Sequence, residues 1–418
     1  MNDQHFSQAG GSGDKRRQIP VAEPMIGERE LAYVTDAVRS GWVSSIGKYV
    51  TRFEEGIASA SGARYAVATN NGTAALHLAL LVLGIGPGDE VIVPSLTFVA
   101  TANAVRYVGA TPVFADSDAD HWCIDPVEIE RCITPRTKAI VPVHLYGHPA
   151  DMDPIDTIAR SRGIAIVEDA AEALGTTYRG RPVGAIGDAG VFSFYGNKLV
   201  TTGEGGMLVT NDAALADRAR LLRDHAMDPV RRYWHGEVGY NFRLTNIQAA
   251  LGLAQVERMG EFLARKREVA QRYRAGLDGI AGLRLQREMA WARSSWWMST
   301  VELDSAFGVG RDLLARALAA RGVDTRPVFL PVHTLPPYRE QQVLHNAQRI
   351  ARQALTLPSA ASLTAEDQDY VIACVREISA VARYELSPRR QVRVRRGAAA
   401  ELPAADEAPS GGRSREAA

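Results

Sequence analysis

Three short segments place reactive or anion-binding side chains where a strand gives way to a turn. In Asn70-Asn71-Gly72-Thr73-Ala74-Ala75-Leu76 a β-branched run ends in a tight turn and a helix begins. A helix start offers unpaired backbone N–H groups and the positive end of its dipole. A glycine there permits close approach and Thr73 adds a hydroxyl, so the segment suits a phosphate. Taken alone, an ordinary helix cap is the simpler reading. In Val167-Glu168-Asp169-Ala170-Ala171-Glu172 an apolar strand ends in carboxylates. They fall at the carboxyl edge of a sheet, where ligands of open α/β sheets bind. Asp169 can pair there with a buried cation, or simply cap a helix. The third segment is Phe192-Ser193-Phe194-Tyr195-Gly196-Asn197-Lys198, followed by Thr201-Thr202-Gly203-Glu204-Gly205-Gly206-Met207. A lysine just past a buried strand loses water. Its amine pKa falls, and it becomes a nucleophile suited to a Schiff base with a carbonyl cofactor. A surface lysine is the plain alternative.

In that chain order the three segments supply what a pyridoxal 5'-phosphate site requires. Asp169 would face the pyridinium nitrogen and keep the ring an electron sink, and Lys198 would hold the aldehyde. Lys198 follows Asp169 by 29 residues, enough for one irregular excursion and one strand between neighbouring sheet positions. Dinucleotide binding fails on context, because Gly84-Ile85-Gly86-Pro87-Gly88 follows a helix rather than a first strand. No G-x-x-x-x-G-K-S/T phosphate loop occurs either. A metal site is not expected. Pro142 and Gly147 break His144-Leu145-Tyr146-Gly147-His148 into strand and loop, so these histidines read as structural or pocket-lining.

The elements that must position these groups follow from pattern. Short β-branched runs at Tyr65–Thr69, Val91–Val93, Pro112–Ala115, Ala139–Val143, Ile164–Val167, Val191–Phe194 and Met207–Thr210 alternate with helical stretches. Several are apolar throughout, as strands covered on both faces are. The alternation predicts an α/β domain with a mostly parallel sheet. Long helices at Ile247–Met259 and Phe262–Leu277 then lead into strands and helices from about 283 to 385. The expected organisation is a large cofactor-binding domain with an N-terminal arm over 19–260 and a smaller α/β domain over 261–386. Residues 1–18 and 387–418 are too rich in Gly, Ser, Arg, Ala and Pro to bury a core, and read as tails. The basic run from Arg389 to Arg396 reads as part of a solvated tail rather than a nucleic-acid patch.

Composition agrees with a globular enzyme. The 418 residues carry 48 Lys plus Arg and 48 Asp plus Glu, so no net field gathers nucleic acid or anionic membrane. Anionic ligands must be held by local geometry. Cys123, Cys132 and Cys374 lie far apart, against a disulfide framework or zinc site and in favour of the reducing cytoplasm. The longest apolar stretch, from Ala74 to Ile85, is interrupted by His77 and too short to span a bilayer.

From about Ile19 to Tyr384 the sequence resembles the sugar aminotransferases of the DegT/DnrJ/EryC1/StrS type, which are fold type I pyridoxal-phosphate enzymes. The segments that carry the likeness are NNGTAALHLALLVLGIGPGDEVIVPSLTFVATANAV, VEDAAEALG, FSFYGNKLVTTGEGGM and VGYNFRLTNIQAALGLAQ. The resemblance implies Lys198 as the cofactor lysine, Asp169 as partner of the ring nitrogen and Phe98 stacked on the pyridine. It further implies Gly72, Thr73 and Ser193 on the phosphate, with Ala74 and Glu172 lining the cofactor. Glu172 stands where many members have Gln or His. In the family the site lies between two subunits, which implies a homodimer with Asn241 reaching the neighbour's phosphate. Many members read S-F-H-x-x-K where this chain has Ser193-Phe194-Tyr195-Gly196-Asn197-Lys198. The G-N-K-x-x-T-T-G-E-G-G-M form, together with HLYGHPADMDPI and MDPVRRYWHGEVGYNFR, is similar to the branch that makes GDP-perosamine. That branch uses GDP-4-keto-6-deoxymannose and glutamate, and similar enzymes aminate the 3-keto isomer on the way to mycosamine. By the same likeness His333 lines the sugar pocket. Lys198 itself argues for transamination over dehydration, because the dehydratase variant of this fold has His there. A relative that keeps the fold and has lost the activity is the non-catalytic alternative.

Overall fold

The computed structural model describes residues 17–339 and 341–386. The basic run Arg389–Arg396 and nearly all of both expected tails lie outside the described residues. Arg17 and Gln18, expected in the N-terminal tail, belong to the fold instead. Arg17 pairs with Asp367 at 2.7 Å and Glu366 at 2.8 Å, and the Ile19 N–H donates to the Gly322 carbonyl at 2.8 Å. A short parallel bridge from Ile19 to Val323 gives this stretch backbone partners that composition cannot reveal.

Helices α1 (Glu28–Arg39) and α2 (Lys48–Ser61) precede a run of alternating elements: β1 (Tyr65–Thr69), α3 (Gly72–Val82), β2 (Glu90–Pro94), α4 (Ala100–Tyr107), β3 (Thr111–Ala115), α5 (Pro126–Cys132), β4 (Thr137–Ile140), α6 (Met152–Arg162) and β5 (Ala165–Asp169). A small hairpin, β6 (Thr177–Tyr178) and β7 (Arg181–Pro182), leads to β8 (Ala189–Ser193), β9 (Gly206–Thr210) and α7 (Ala213–Arg223). Seven strands form the central sheet in the order β1-β9-β8-β5-β4-β2-β3. They are the seven runs expected from the sequence, with shifts at their ends. Five run parallel in succession, and β9 is antiparallel to both of its neighbours, β8 and β1. The strands are buried on both faces, β2 and β9 completely, which is why their sequences carry no polar alternation.

Two long helices, α8 (Asn246–Val256) and α9 (Met259–Leu277), connect to β10 (Leu283–Leu285), β11 (Ala292–Arg293), β12 (Ser299–Leu303), α10 (Arg311–Ala319), β13 (Arg326–Pro327), α11 (His345–Gln353), β14 (Ala354–Leu357) and α12 (Ala365–Leu386). A second, antiparallel sheet has the order β10-β12-β14-β13. Its apolar cluster includes Val269, Tyr273, Val301, Phe307, Leu314 and Val371. Trp297, Met298, Val328, Val332 and Ile350 belong instead to the large cluster around the central sheet. The chain beyond 290 therefore packs against both sheets and brings the edge of the second over the first.

Candidate active site

Strand register puts the chemistry on one line. Thr69, the last residue of β1, pairs with Gly206, and Gly206 pairs with Ser193 at the end of β8. Asp169 ends β5 opposite Val191. All three parallel strands thus finish at the same carboxyl edge. Asn71 caps α3, its Oδ1 accepting from the Ala74 N–H at 2.8 Å, a cap of ~1 kcal/mol. The segment is therefore a helix cap that stands at this carboxyl edge. Gly72 and Thr73 begin the helix, and N–H groups of a first turn have no intrahelical acceptor. Gly72 is required by packing, since a Cβ there would stand 2.9 Å from the Ser193 Cβ.

Adjacent residues of a strand point to opposite faces, which separates the fates of Glu168 and Asp169. Glu168 is fully buried, accepts from the Gly184, Ile186 and Gly187 N–H groups, and meets His144 Nε2 at 3.0 Å. It holds the loop after β7 and does not reach the cavity. Asp169 does reach it. Its Oδ2 accepts the Thr101 hydroxyl at 2.7 Å and its Oδ1 the Ala171 N–H at 3.2 Å. Burial pushes this carboxyl above the usual aspartate range, and its two hydrogen bonds only partly offset that. Among the described residues it makes no ion pair, so it is a buried carboxylate suited to a cation brought in from outside.

Lys198 sits in the connection from β8 to β9, closed by Phe194 N–H to Gly205 O at 2.9 Å and Lys198 N–H to Tyr195 O at 2.9 Å. Its Nζ lies 3.7 Å from Glu172 Oε1, with 13 % of the lysine side chain exposed. Desolvation lowers the Lys198 pKa, opposed by Glu172 and Asp169. Desolvation likewise raises Glu172 to about 7, opposed by Lys198 and by the Tyr146 N–H, which donates at 2.8 Å. The pair is placed for proton exchange, with burial acting against the charged form of each partner.

These groups line one cavity of about 880 Å³ with Asn71, Gly72, Thr73, Ala74, Phe98, Asp169, Glu172, Ser193 and Lys198 in its wall. Phe98 is 56 % exposed and leans on Phe329, centroids 5.8 Å apart. Two expected residues lie elsewhere. His333 is 1 % exposed and is not in the cavity wall. Its Nδ1 meets the Ser95 hydroxyl at 2.6 Å and its Nε2 the Gln348 amide at 3.1 Å, so both ring nitrogens are engaged in fastening the 332–334 turn. From the same stretch of chain it is Arg326, Pro327 and Phe329 that reach the wall. Asn241 is exposed outside its own cavity, its Oδ1 accepting from Arg243, while the neighbouring Phe242 lines the wall. Sequence reasoning missed Thr101, Tyr146, Trp297 and Arg326. Tyr146 could have been noticed inside HLYGH, but nothing local marks the others.

His121, Cys123 and His148 cluster with donor atoms within 4.8 Å. Their ring nitrogens are already used: His148 Nε2 accepts from the Met289 N–H, Nδ1 bonds to Pro149 O, and His121 Nδ1 accepts from the Cys123 N–H. The two imidazoles stack 5.2 Å apart against Trp291, a packing arrangement rather than a ligand set.

A mostly parallel open sheet with a lysine, a buried aspartate and a helix N-terminus at its carboxyl edge is the architecture of fold type I pyridoxal-phosphate enzymes, aminotransferases among them. The chain belongs to the DegT/DnrJ/EryC1/StrS aminotransferase family, whose model matches residues 24–376. It is 48% identical over 364 residues to a GDP-perosamine synthase of Caulobacter vibrioides, covering 86% of this chain and 98% of that one. It is 38% identical over 361 residues to a GDP-perosamine synthase of Vibrio cholerae, with the same coverage. Among solved structures, the aminotransferase TlmJ from Streptoalloteichus hindustanus superposes with a TM-score of 0.83 at 37% identity, over 87% of this chain and 99% of that one. DesI, solved in the presence of its TDP-sugar product, gives 0.82 at 35% identity over 93% and 97%.

Proposed function

We propose that this chain carries pyridoxal 5'-phosphate and moves an amino group from glutamate to a nucleotide-linked keto-6-deoxysugar, converting GDP-4-keto-6-deoxymannose to GDP-perosamine. One observation carries the reading: Lys198 and Asp169 converge on a single cavity whose wall is also the N-terminus of α3.

The residues present fit the cofactor. Among the described residues Asp169 is a buried carboxylate that makes no ion pair, as a pyridinium needs. Gly72 and Thr73 with Ser193 offer N–H and hydroxyl groups to a phosphate. Phe98 presents an exposed ring at the cavity, and Ala74 and Glu172 line it as well. When bound, the cofactor supplies an aldehyde and an electron sink for carbanion chemistry. Lys198 is the group that holds and moves the proton. Its lowered pKa leaves a larger share of free amine at neutral pH, and Glu172 at 3.7 Å is placed to take or return that proton. Trp297, Tyr146 and Phe329 add aromatic surface to the same cavity wall.

The acceptor is argued from the relatives. Two of them, matched over 98% of their length, bear the name GDP-perosamine synthase. Arg326, a cavity-lining cation with no carboxylate partner among the described residues, suits substrates that all bear carboxylate or phosphate groups. A homodimer completes the site, with Asn241 reaching the neighbour's phosphate. In support, Asn241 lies close in sequence to Asn246, which ties the 42–46 segment to α8 through Trp42 O at 2.7 Å. That segment exposes Trp42, Val43 and Ile46, an apolar face fit for a second subunit. Cys123, Cys132 and Cys374 lie far apart in the sequence with no paired spacing, which agrees with a cytoplasmic setting. No helix among the described residues is long and apolar enough to cross a membrane.

The test is an absorbance spectrum of the purified protein with and without glutamate, repeated on Lys198→Ala. GDP-4-keto-6-deoxymannose is then added and the product weighed by mass spectrometry. A visible cofactor band that glutamate bleaches and the keto-sugar restores, absent in the variant, is the expected result. If the band never forms, the non-catalytic reading takes its place. If it bleaches and only the 3-keto isomer restores it, the acceptor is that isomer.

A further inference from the structure

In the proposed reaction Lys198 spends part of every turnover as a free amine, and the fold must keep that amine in place while it is untied. Three contacts converge on it. The centroid of the Trp297 indole lies 3.8 Å from Nζ. Glu172 Oε1 lies 3.7 Å away. The Trp297 Nε1–H donates to the Asn197 carbonyl at 2.7 Å, fixing the residue just before the lysine. The indole is itself held. Its backbone carbonyl accepts from Lys266 Nζ at 2.9 Å, an amine that also donates to Ser359 O at 2.6 Å. Tyr146 stacks on it at 6.0 Å with planes 11° apart.

We infer that Trp297 is a positioning residue whose ring face, opposite the Glu172 carboxylate, forms the resting place of the untied Lys198 ammonium. An aromatic face attracts a cation through its quadrupole, most strongly where water is excluded. Trp297 is 5 % exposed, so the face is dry. Leucine at 297 would keep an apolar wall and remove both the π face and the N–H. Phenylalanine would keep a face and lose only the N–H. The charged groups acting on the amine are Glu172 and Asp169, at and just beyond the end of β5; Lys266 from α9 holds the carbonyl of the indole residue, and Glu204 and Arg326 line the same cavity. None of them is changed by these substitutions, so the difference between Trp297→Leu and Trp297→Phe, which both lose the N–H, reads the ring face itself.

The inference draws its purpose from the transamination reading, but its test needs no turnover. The full chain is freed of cofactor with hydroxylamine. The pH dependence of Lys198 acetylation by trace acetic anhydride is then followed by peptide mass spectrometry in wild type, Trp297→Leu and Trp297→Phe. The expected result is a Lys198 titration displaced downward by roughly one pKa unit in Trp297→Leu, and by less than about half of that in Trp297→Phe. An unmoved or upward titration in Trp297→Leu overturns the inference, as does a Trp297→Phe curve equal to that of leucine. Should the leucine variant fail to fold, the phenylalanine variant decides alone: a downward displacement beyond about half a unit overturns the ring-face role. Loss of glutamate-dependent bleaching in the wild-type enzyme would overturn the functional reading and leave this amine titration standing.

Discussion

The Thr101 hydroxyl donates to Asp169 Oδ2 at 2.7 Å, joining the first turn of α4 to the end of β5. A carboxylate taken out of water needs donors to stay ionised, and here a threonine 68 residues earlier supplies the shorter of two. Thr101→Val removes it without changing side-chain shape. Hydrogen bonds to charged groups contribute about 1.5–3 kcal/mol, so cofactor affinity should fall roughly 10- to 150-fold. Equilibrium dialysis with the cofactor measures this, and unchanged affinity would count against Asp169 as the ring-nitrogen partner.

The Gly72 position tolerates no side chain. A methyl group there would press on Ser193 at 2.9 Å, and overpacking of this kind costs about 1–3 kcal/mol. Gly72→Ala should lower the melting temperature of the ligand-free protein and weaken phosphate-bearing cofactor more than phosphate-free pyridoxal. Equal loss for both ligands would place the phosphate elsewhere.

Glu172 makes stability depend on pH. Its pKa is raised from 4.5 to about 7, chiefly by burial. The carboxyl is therefore well accommodated below 4.5, and the cost of charging it develops as pH rises through about 7. In the ligand-free protein Glu172→Gln should gain on wild type over that window, by at most ~3 kcal/mol. Calorimetric melting from pH 4.5 to 8 tests it, and parallel curves would refute the shift.

Lys266 has the opposite sign. Burial depresses it from 10.5 to about 7. The neutral amine serves the Trp297 and Ser359 carbonyls, so its contribution is fully present above 10.5 and is lost as pH falls through about 7. Lys266→Met should be most destabilising near pH 10 and several kcal/mol less so near pH 6. Denaturant titrations of both proteins at the two pH values give the comparison directly.

Arg326 offers the cavity a guanidinium in register with Thr356 of β14. Arg326→Gln should raise the KM of an anionic substrate by roughly 10-fold or more, with a smaller change in kcat. Measuring glutamate and the nucleotide sugar separately shows which one the arginine serves. A fall in kcat alone would mean that it acts on the chemistry instead.

Local pattern carried much of this molecule. Short β-branched runs, several of them apolar throughout, identified the seven central strands because strands covered on both faces need no polar alternation. The segments of Gly72, Asp169 and Lys198, which the structure brings to one cavity, were legible as candidates for a related reason: each sits within a few residues of a strand's end, where sequence marks the turn. His333 shows the limit. Its segment does approach the cavity, but which side chain points inward depends on the turn at 332–334 and on Ser95 and Gln348 arriving from elsewhere. Arg17 is a second case, expected in a tail and held by the carboxylates of α12.

By itself the sequence determined the α/β class and the order of the chemistry-bearing segments, and it singled out Lys198 and Asp169 as candidates, because strand ends and burial pattern are local features; the family resemblance supplied their expected roles. Only the tertiary structure decided what surrounds them. Thr101, Tyr146, Trp297 and Arg326 come from four separate parts of the chain to meet Asp169, Glu172 and Lys198. Contacts of that sequence separation are fixed by how two sheets pack, which no local periodicity encodes.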